Sequence, residues 1–121
     1  MDAKVLFFLF FSVLWPASVV NAEVIMLASW YGSPALEGAP MANGKPFKTN
    51  DKTIAAHKSL PLGTKLRVKN PTNGRELTVV VKDRGPFKKG RKLDLSKAAA
   101  KKLGYVRKGV TKLAVTVVRS G

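Results

Sequence analysis

The sequence predicts an all-β protein, a small closed barrel of about six short strands with one short helix. Three observations predict it. Short apolar or alternating runs recur between clusters of Gly, Pro and Asn, the pattern of strands joined by turns. Only one segment carries both a helix start and a helix stop. About six strands in under ~100 residues leave many edges to protect, and closing the sheet on itself removes them.

Met1 to Ala22 is expected to be a signal peptide, outside the fold. Lys4 and the terminal amine supply its positive end. Val5 to Trp15 is an uncharged apolar run, and Val20-Asn21-Ala22 leaves small residues for cleavage. The run is shorter than the roughly 20 residues of a spanning helix, and Pro16 interrupts it. An exported protein follows, periplasmic or secreted, with no stable membrane insertion once the leader is gone. The chain has no cysteine, so no acylated cysteine can anchor it to lipid. Disulfides and thiolate metal sites are excluded on the same ground, and residues 23–121 must form one domain held by its own core.

Val24 to Trp30 (VIMLASW) is apolar and β-prone, the first strand. Tyr31 to Asp51, rich in Gly and Pro, is a long loop of the kind that is either functional or disordered. Thr53 to His57 is a brief strand. Pro61-Leu62-Gly63 turns the chain into Thr64 to Lys69, where Leu66 and Val68 alternate with basic residues. Asn70-Pro71-Thr72-Asn73-Gly74 is a hairpin turn, and Glu76 to Lys82 pairs back. Asp83-Arg84-Gly85-Pro86-Phe87 leads into a basic loop ending at Gly90-Arg91, and Lys92 to Leu95 is another short strand. Ser96 stands at an N-cap position before Lys97 to Leu103, with Gly104 at the stop. Thr111 to Arg119 is the closing strand.

Lys and Arg number 22 against 7 Asp and Glu, a net charge of +15. Such a field attracts polyanions. Inside a cell the first partner to consider is nucleic acid. An exported protein meets anionic wall polymers, acidic lipids and lipopolysaccharide instead, so no nucleic acid is expected. The plain alternative is a solvated basic surface with no partner.

No nucleotide loop, zinc signature or Ser/His/Asp sequence motif is present. His57 is the only histidine, which excludes a multi-histidine metal site; no metal or other cofactor is expected. The acids after the leader are Glu23, Glu37, Asp51, Glu76, Asp83 and Asp94. Glu23 and Glu76 are expected to face solvent. Asp83 closes the Val79-Val80-Val81 run just before a turn. A carboxylate there can face a groove, or it can cap the turn through backbone N–H groups. Position alone leaves both open.

Seven short motifs stand in one order: Ala28-Ser29-Trp30-Tyr31-Gly32, Ala42-Asn43-Gly44, Ala55-Ala56-His57-Lys58, Leu60-Pro61-Leu62-Gly63-Thr64, Asn73-Gly74-Arg75, Asp83-Arg84-Gly85-Pro86-Phe87 and Leu93-Asp94-Leu95-Ser96. Together they resemble the rare lipoprotein A family of bacterial lytic transglycosylases, over nearly the whole chain after the leader. The resemblance implies a six-stranded double-psi β-barrel, the fold also of expansins. It implies cleavage of peptidoglycan glycan strands, preferably strands stripped of stem peptides. A general acid protonates the oxygen between N-acetylmuramic acid and N-acetylglucosamine, and the muramyl C6 hydroxyl closes on C1 to leave a 1,6-anhydro end. The nucleophile is already part of the substrate, so no second carboxylate has to position water.

Asp83 matches the family's catalytic aspartate and is the expected general acid; His57 matches a histidine of its active site, expected to assist by hydrogen-bonding the acid or the sugar. Trp30 and Tyr31 offer stacking faces to a sugar, although one of them is expected in the core. Asn43, Lys45, Arg84 and Asp94 complete the expected substrate-binding set; for Asp94, ordering the start of the Ser96 helix is an equal alternative. One position departs from the pattern. The family has glutamate after Ala-Asn-Gly, where this chain has Lys45, and Met41 replaces a usual threonine. An ammonium there reverses the charge beside a site whose acid must hold a proton at working pH. Glu37, in the same loop, is a substitute that sequence cannot place. Two functions follow: a lytic transglycosylase, or a non-catalytic, expansin-like module that binds wall glycan.

Overall fold

A computed structural model describes residues 22–120; apart from Ala22, the expected leader lies outside the described residues. The strands are β1 (Glu23–Tyr31), β2 (Ile54–Ala56), β3 (Lys65–Lys69), β4 (Glu76–Asp83), β5 (Leu93–Ser96) and β6 (Thr111–Arg119). The single helix is α1 (Lys97–Leu103). The sheet closes in the order β1-β5-β2-β4-β3-β6. Both β1/β5 and β2/β4 are parallel pairs, and the other four pairs are antiparallel. The all-β barrel with one helix is therefore as the sequence predicts, with strand ends displaced by a residue or two.

Alternation decides what fills the barrel. Ala28, Ala55, Leu66, Val68, Val79, Val81, Leu93, Leu95, Leu113 and Val115 are buried together. Each Leu or Val removed from water contributes roughly 1.5–3 kcal/mol before the entropy of ordering the chain is charged against it. The helix lays Ala99, Ala100 and Leu103 onto this core. Ser96 caps it by accepting from the Ala99 N–H, and Gly104, at φ +81°, ends it in the left-handed conformation. Its last carbonyls are satisfied from a distance. The side-chain amides of Asn70 and Asn73 both donate to the Leu103 carbonyl, so the β3–β4 turn also closes the helix.

The segment between β1 and β2 is ordered as a flap on the outside of the barrel. Pro40 bridges to Pro46, the Phe47 N–H donates to the Ala39 carbonyl, and the Met41 N–H donates to the Lys45 carbonyl. Under the flap, Met41, Phe47 and Ile54 form a second buried cluster with Tyr31 packed against it.

Candidate active site

β2 lies between β5 and β4, and its last residue pairs with both. Ala56 is the register partner of Asp94 on β5 and of Asp83 on β4. Adjacent strands lie about 4.8 Å apart, so the two aspartate backbones stand about 10 Å apart across β2. Asp94 alternates with the buried Leu93 and Leu95 and therefore points out of the barrel. Asp83 would by the same alternation follow Val79 and Val81 inward. A register shift between Ala55 and Ala56 prevents this: Ala55 pairs with Val81, and Ala56 with Asp83. Lys82 is the extra residue, and the bulge re-aims the carboxylate to the outer face. Ala56, between them in register, is buried, and the Tyr31 phenol feels the charge of both acids.

Asp83 accepts hydrogen bonds from three donors. Tyr31 Oη donates to Oδ2 at 3.2 Å, while the backbone N–H groups of Ala42 and Arg84 donate to Oδ1 at 2.9 Å each. Asp83 thus caps its own turn through the Arg84 N–H, one of the two sequence readings, and is half-buried. Tyr31 is placed from behind by Phe47, whose ring stacks on it with centroids 4.6 Å apart. Burial first, then the Asp83 charge, pushes the Tyr31 phenol well above its ordinary range. The phenol thus stays a donor.

Asp94 has a different environment. Burial raises its pKa to about 6, and the Asp83 charge adds to the rise against the opposing effects of the Ser29 hydroxyl and Arg91. Its Oδ1 accepts from Ser29 Oγ at 3.1 Å. The helix start is capped by Ser96 itself, whose Oγ accepts from the Ala99 N–H.

His57 follows Ala56, but its ring does not bond to either acid. Its backbone N–H donates to the Asp83 carbonyl at 3.2 Å. Its Nδ1 accepts from the N–H groups of Ser59 and Leu60, both at 3.1 Å, which leaves the proton of the neutral ring on Nε2. Burial, then the charges of Arg84, Lys92 and Lys58, holds its pKa below the ordinary value.

The remaining expected residues divide between the cleft and its supports. Asn43 shapes the flap: its Oδ1 accepts from the Lys45 N–H, and its own N–H donates to the Lys82 carbonyl. With Gly44 at φ +84°, this turn sets the Ala42 amide against Asp83. Lys45 is exposed at the turn, in a shallow groove of about 240 Å³ with Met41, Lys48, Asp51 and Lys82. Arg84 turns its guanidinium to the backbone carbonyls of His57 and Leu60, at 3.1 and 2.6 Å. Trp30 is not gathered with the acids. It packs against the barrel core, donates from Nε1 to the Val106 carbonyl and carries the Lys97 ammonium over its ring. Glu37 is tied to the Thr49 N–H and does not replace the missing glutamate.

Sequence reasoning missed Ser29, Ala56 and the Ala42 amide. The period of two along β1, which puts Ser29 on the Tyr31 side, was the one available signal. Phe87 was also passed over. It is 81% exposed just beyond Asp83, an apolar ring inside a basic loop.

Among the described residues, no group of three or more His, Cys, Asp or Glu is placed to hold a metal ion, and no helix is long and apolar enough to cross a membrane.

A closed six-stranded barrel with paired acids on its outer face and an ordered flap is the double-psi type, and comparison with known proteins agrees. The sequence profile of the lytic transglycolase family matches residues 23–115, and the chain belongs to that family. It is similar to the probable endolytic peptidoglycan transglycosylase RlpA of Aquifex aeolicus, 51% identical over 94 residues that cover 78% of this chain and 41% of the relative. Likewise it is 49% identical over 93 residues to the endolytic peptidoglycan transglycosylase RlpA of Pseudomonas aeruginosa PAO1, covering 77% of this chain and 27% of the relative. The chain thus spans less than half the length of these relatives. Among solved structures, the apo expansin of Clavibacter michiganensis superposes with a TM-score of 0.64 at 25% identity, covering 83% of this chain and 52% of that one. The Streptomyces papain inhibitor shares the fold, with a TM-score of 0.66 at 24% identity over 81% of this chain and 96% of that one.

Proposed function

We propose that this protein is exported and cuts peptidoglycan glycan strands between N-acetylmuramic acid and N-acetylglucosamine as a lytic transglycosylase, preferring strands without stem peptides. The observation that carries the reading is the pair of carboxyls flanking Ala56, one of which titrates near 6. An acid that burial keeps protonated up to about pH 6 suits the donor's role. Asp94 is the proton donor to the glycosidic oxygen. Asp83, ringed by donors, is the acceptor for the proton of the muramyl C6 hydroxyl. The C1–O bond to the leaving sugar breaks, the C6 oxygen bonds to C1, and one proton passes to each side. The reaction consumes no water. Tyr31 and the Ala42 amide hold Asp83 in place through the step. Lys45 is no obstacle in this scheme, because the second acid comes from β5 rather than from the flap.

Digestion of stem-peptide-free sacculi, read by mass spectrometry, tests it. Release of 1,6-anhydro-muramyl fragments, abolished by Asp83→Asn and by Asp94→Asn, is the expected result. Fragments no more abundant than in an enzyme-free control reject it. One observation favours a second reading, an expansin-like binding module: Lys45 stands where the family carries an acid. That reading expects salt-sensitive pelleting with sacculi and no anhydro ends.

A further inference from the structure

On the far side of His57 from the acids lies a groove of about 340 Å³ that the reaction scheme does not use. Its floor is the start of β1, where Val24 and Ile25 are 50% and 56% exposed on a stretch paired to β6 alone, before β5 joins at Ala28. Lys58, Lys92 and His57 line it as well. Both lysines are exposed and neither forms an ion pair among the described residues. Lys92 is fixed against β1 by its N–H bond to the Leu27 carbonyl. With Nδ1 of His57 engaged by two backbone amides, the Nε2–H has no partner among the described residues. The groove therefore offers an apolar floor, two ammonium groups and one ring N–H donor. Its volume is at the low end for ligand sites, about 300–1,000 Å³, and suits one sugar rather than several.

We propose that this groove is a subsite for a muramyl residue whose lactyl carboxylate is free, with Val24 and Ile25 under its methyl groups and Lys58 and Lys92 on its carboxylate. The inference rests on the glycan reading above and deepens it. A muramyl lactyl ether presents a methyl group and a carboxylate on one short branch, the combination the groove provides. Attachment of a stem peptide turns that carboxylate into an amide and removes the charge beside the ring. The backbone bond from His57 to Asp83 joins groove to cleft, so both can engage one strand. His57 is then a substrate-binding residue and not a proton carrier. Selection of stripped strands becomes a property of the barrel itself.

The test is equilibrium binding by the Asp83→Asn protein, which does not turn over, of three tetrasaccharides of alternating N-acetylglucosamine and N-acetylmuramic acid. One has free lactyl carboxylates, one has them as methylamides, and one bears stem peptides. The free acid is expected to bind about tenfold more tightly than the other two. Lys58→Gln with Lys92→Gln should bring all three within about twofold while leaving the methylamide affinity unchanged. Equal binding of free acid and methylamide by the unaltered groove overturns the proposal, as does discrimination that survives the double substitution. Tight binding of the stem-peptide form would assign the lysines to peptide carboxylates and overturn it too. Because binding is read without turnover, loss of discrimination here is separable from absence of anhydro products in the sacculus assay.

Discussion

Asp83 and Asp94 are both register partners of Ala56, one across each flank of β2. They share a face only because Lys82 bulges out of β4. Asp83 accepts three hydrogen bonds, whereas Asp94 is buried with the Ser29 hydroxyl and feels the charge of Asp83. Two identical side chains, on strands that flank β2, thereby stand in different surroundings.

Asp94 should trade stability for function. An unfolded aspartate titrates near pH ~3.9, and in this fold Asp94 titrates at about 6. Between those values the unfolded chain has released a proton that the native chain keeps, so stability falls as pH rises from about 4 to 6 and stays lower above. The full effect is on the order of 1–3 kcal/mol. Asp94→Asn keeps an acceptor for Ser29 and carries no charge. Urea denaturation should find it more stable than the parent at pH ~7.5 by that amount and equal near pH ~4, while anhydro product disappears. A variant less stable at the higher pH contradicts the assignment of burial as the cause.

Tyr31→Phe removes the hydroxyl that donates to Asp83 but keeps the ring stacked on Phe47. A hydrogen bond to a carboxylate is worth about 1.5–3 kcal/mol, so turnover should fall at least roughly tenfold. Thermal stability should change little, because the released acceptor faces the open cleft. An unchanged rate would show that Asp83 needs no help from the phenol.

Phe47→Ala attacks the same site from below. Phe47 is 2% exposed between Met41, Ile54 and Tyr31, and such truncations cost about 3–5 kcal/mol. For a domain of this size that lowers the Tm by roughly 10–20 °C. Activity should be lost even at temperatures where the barrel remains folded, because the flap carries the Ala42 amide. Circular dichroism beside product release separates the two effects; loss of both in parallel would mean that flap and barrel form one cooperative unit.

Much of the barrel was legible in advance because its signals are local. Ser96 and Gly104 bracket the helix, Asn73-Gly74 turns a hairpin, and period-two alternation marks β3 and β4. Asp83 was found from its place at a strand end and from the motif around it. The pairing of Ala56 with two acids was not legible, since it depends on parallel contacts between distant strands and on one bulged residue. Alternation put Trp30 and Tyr31 on opposite faces but did not say which face was inside. Asp94 stands in the expected substrate-binding set; its depth in the fold, and hence its raised pKa, comes from barrel closure.

Lys45→Glu restores the acid that the family pattern carries at that position. Residue 45 is exposed on the flap, and the account does not route a proton through it. Turnover on stripped sacculi should therefore change by less than about threefold, well under one rate decade or ~1.4 kcal/mol. A gain of a hundredfold or more would move the second acid from β5 to the flap.

The most direct measurement is a carbon-13 NMR titration of the Asp94 side-chain carboxyl in the folded protein, with Asp83→Asn titrated alongside. The expected midpoint is near 6, and it drops when the Asp83 charge is removed. A midpoint near ~4, the value of a solvated aspartate, would contradict the assignment of Asp94 as the acid.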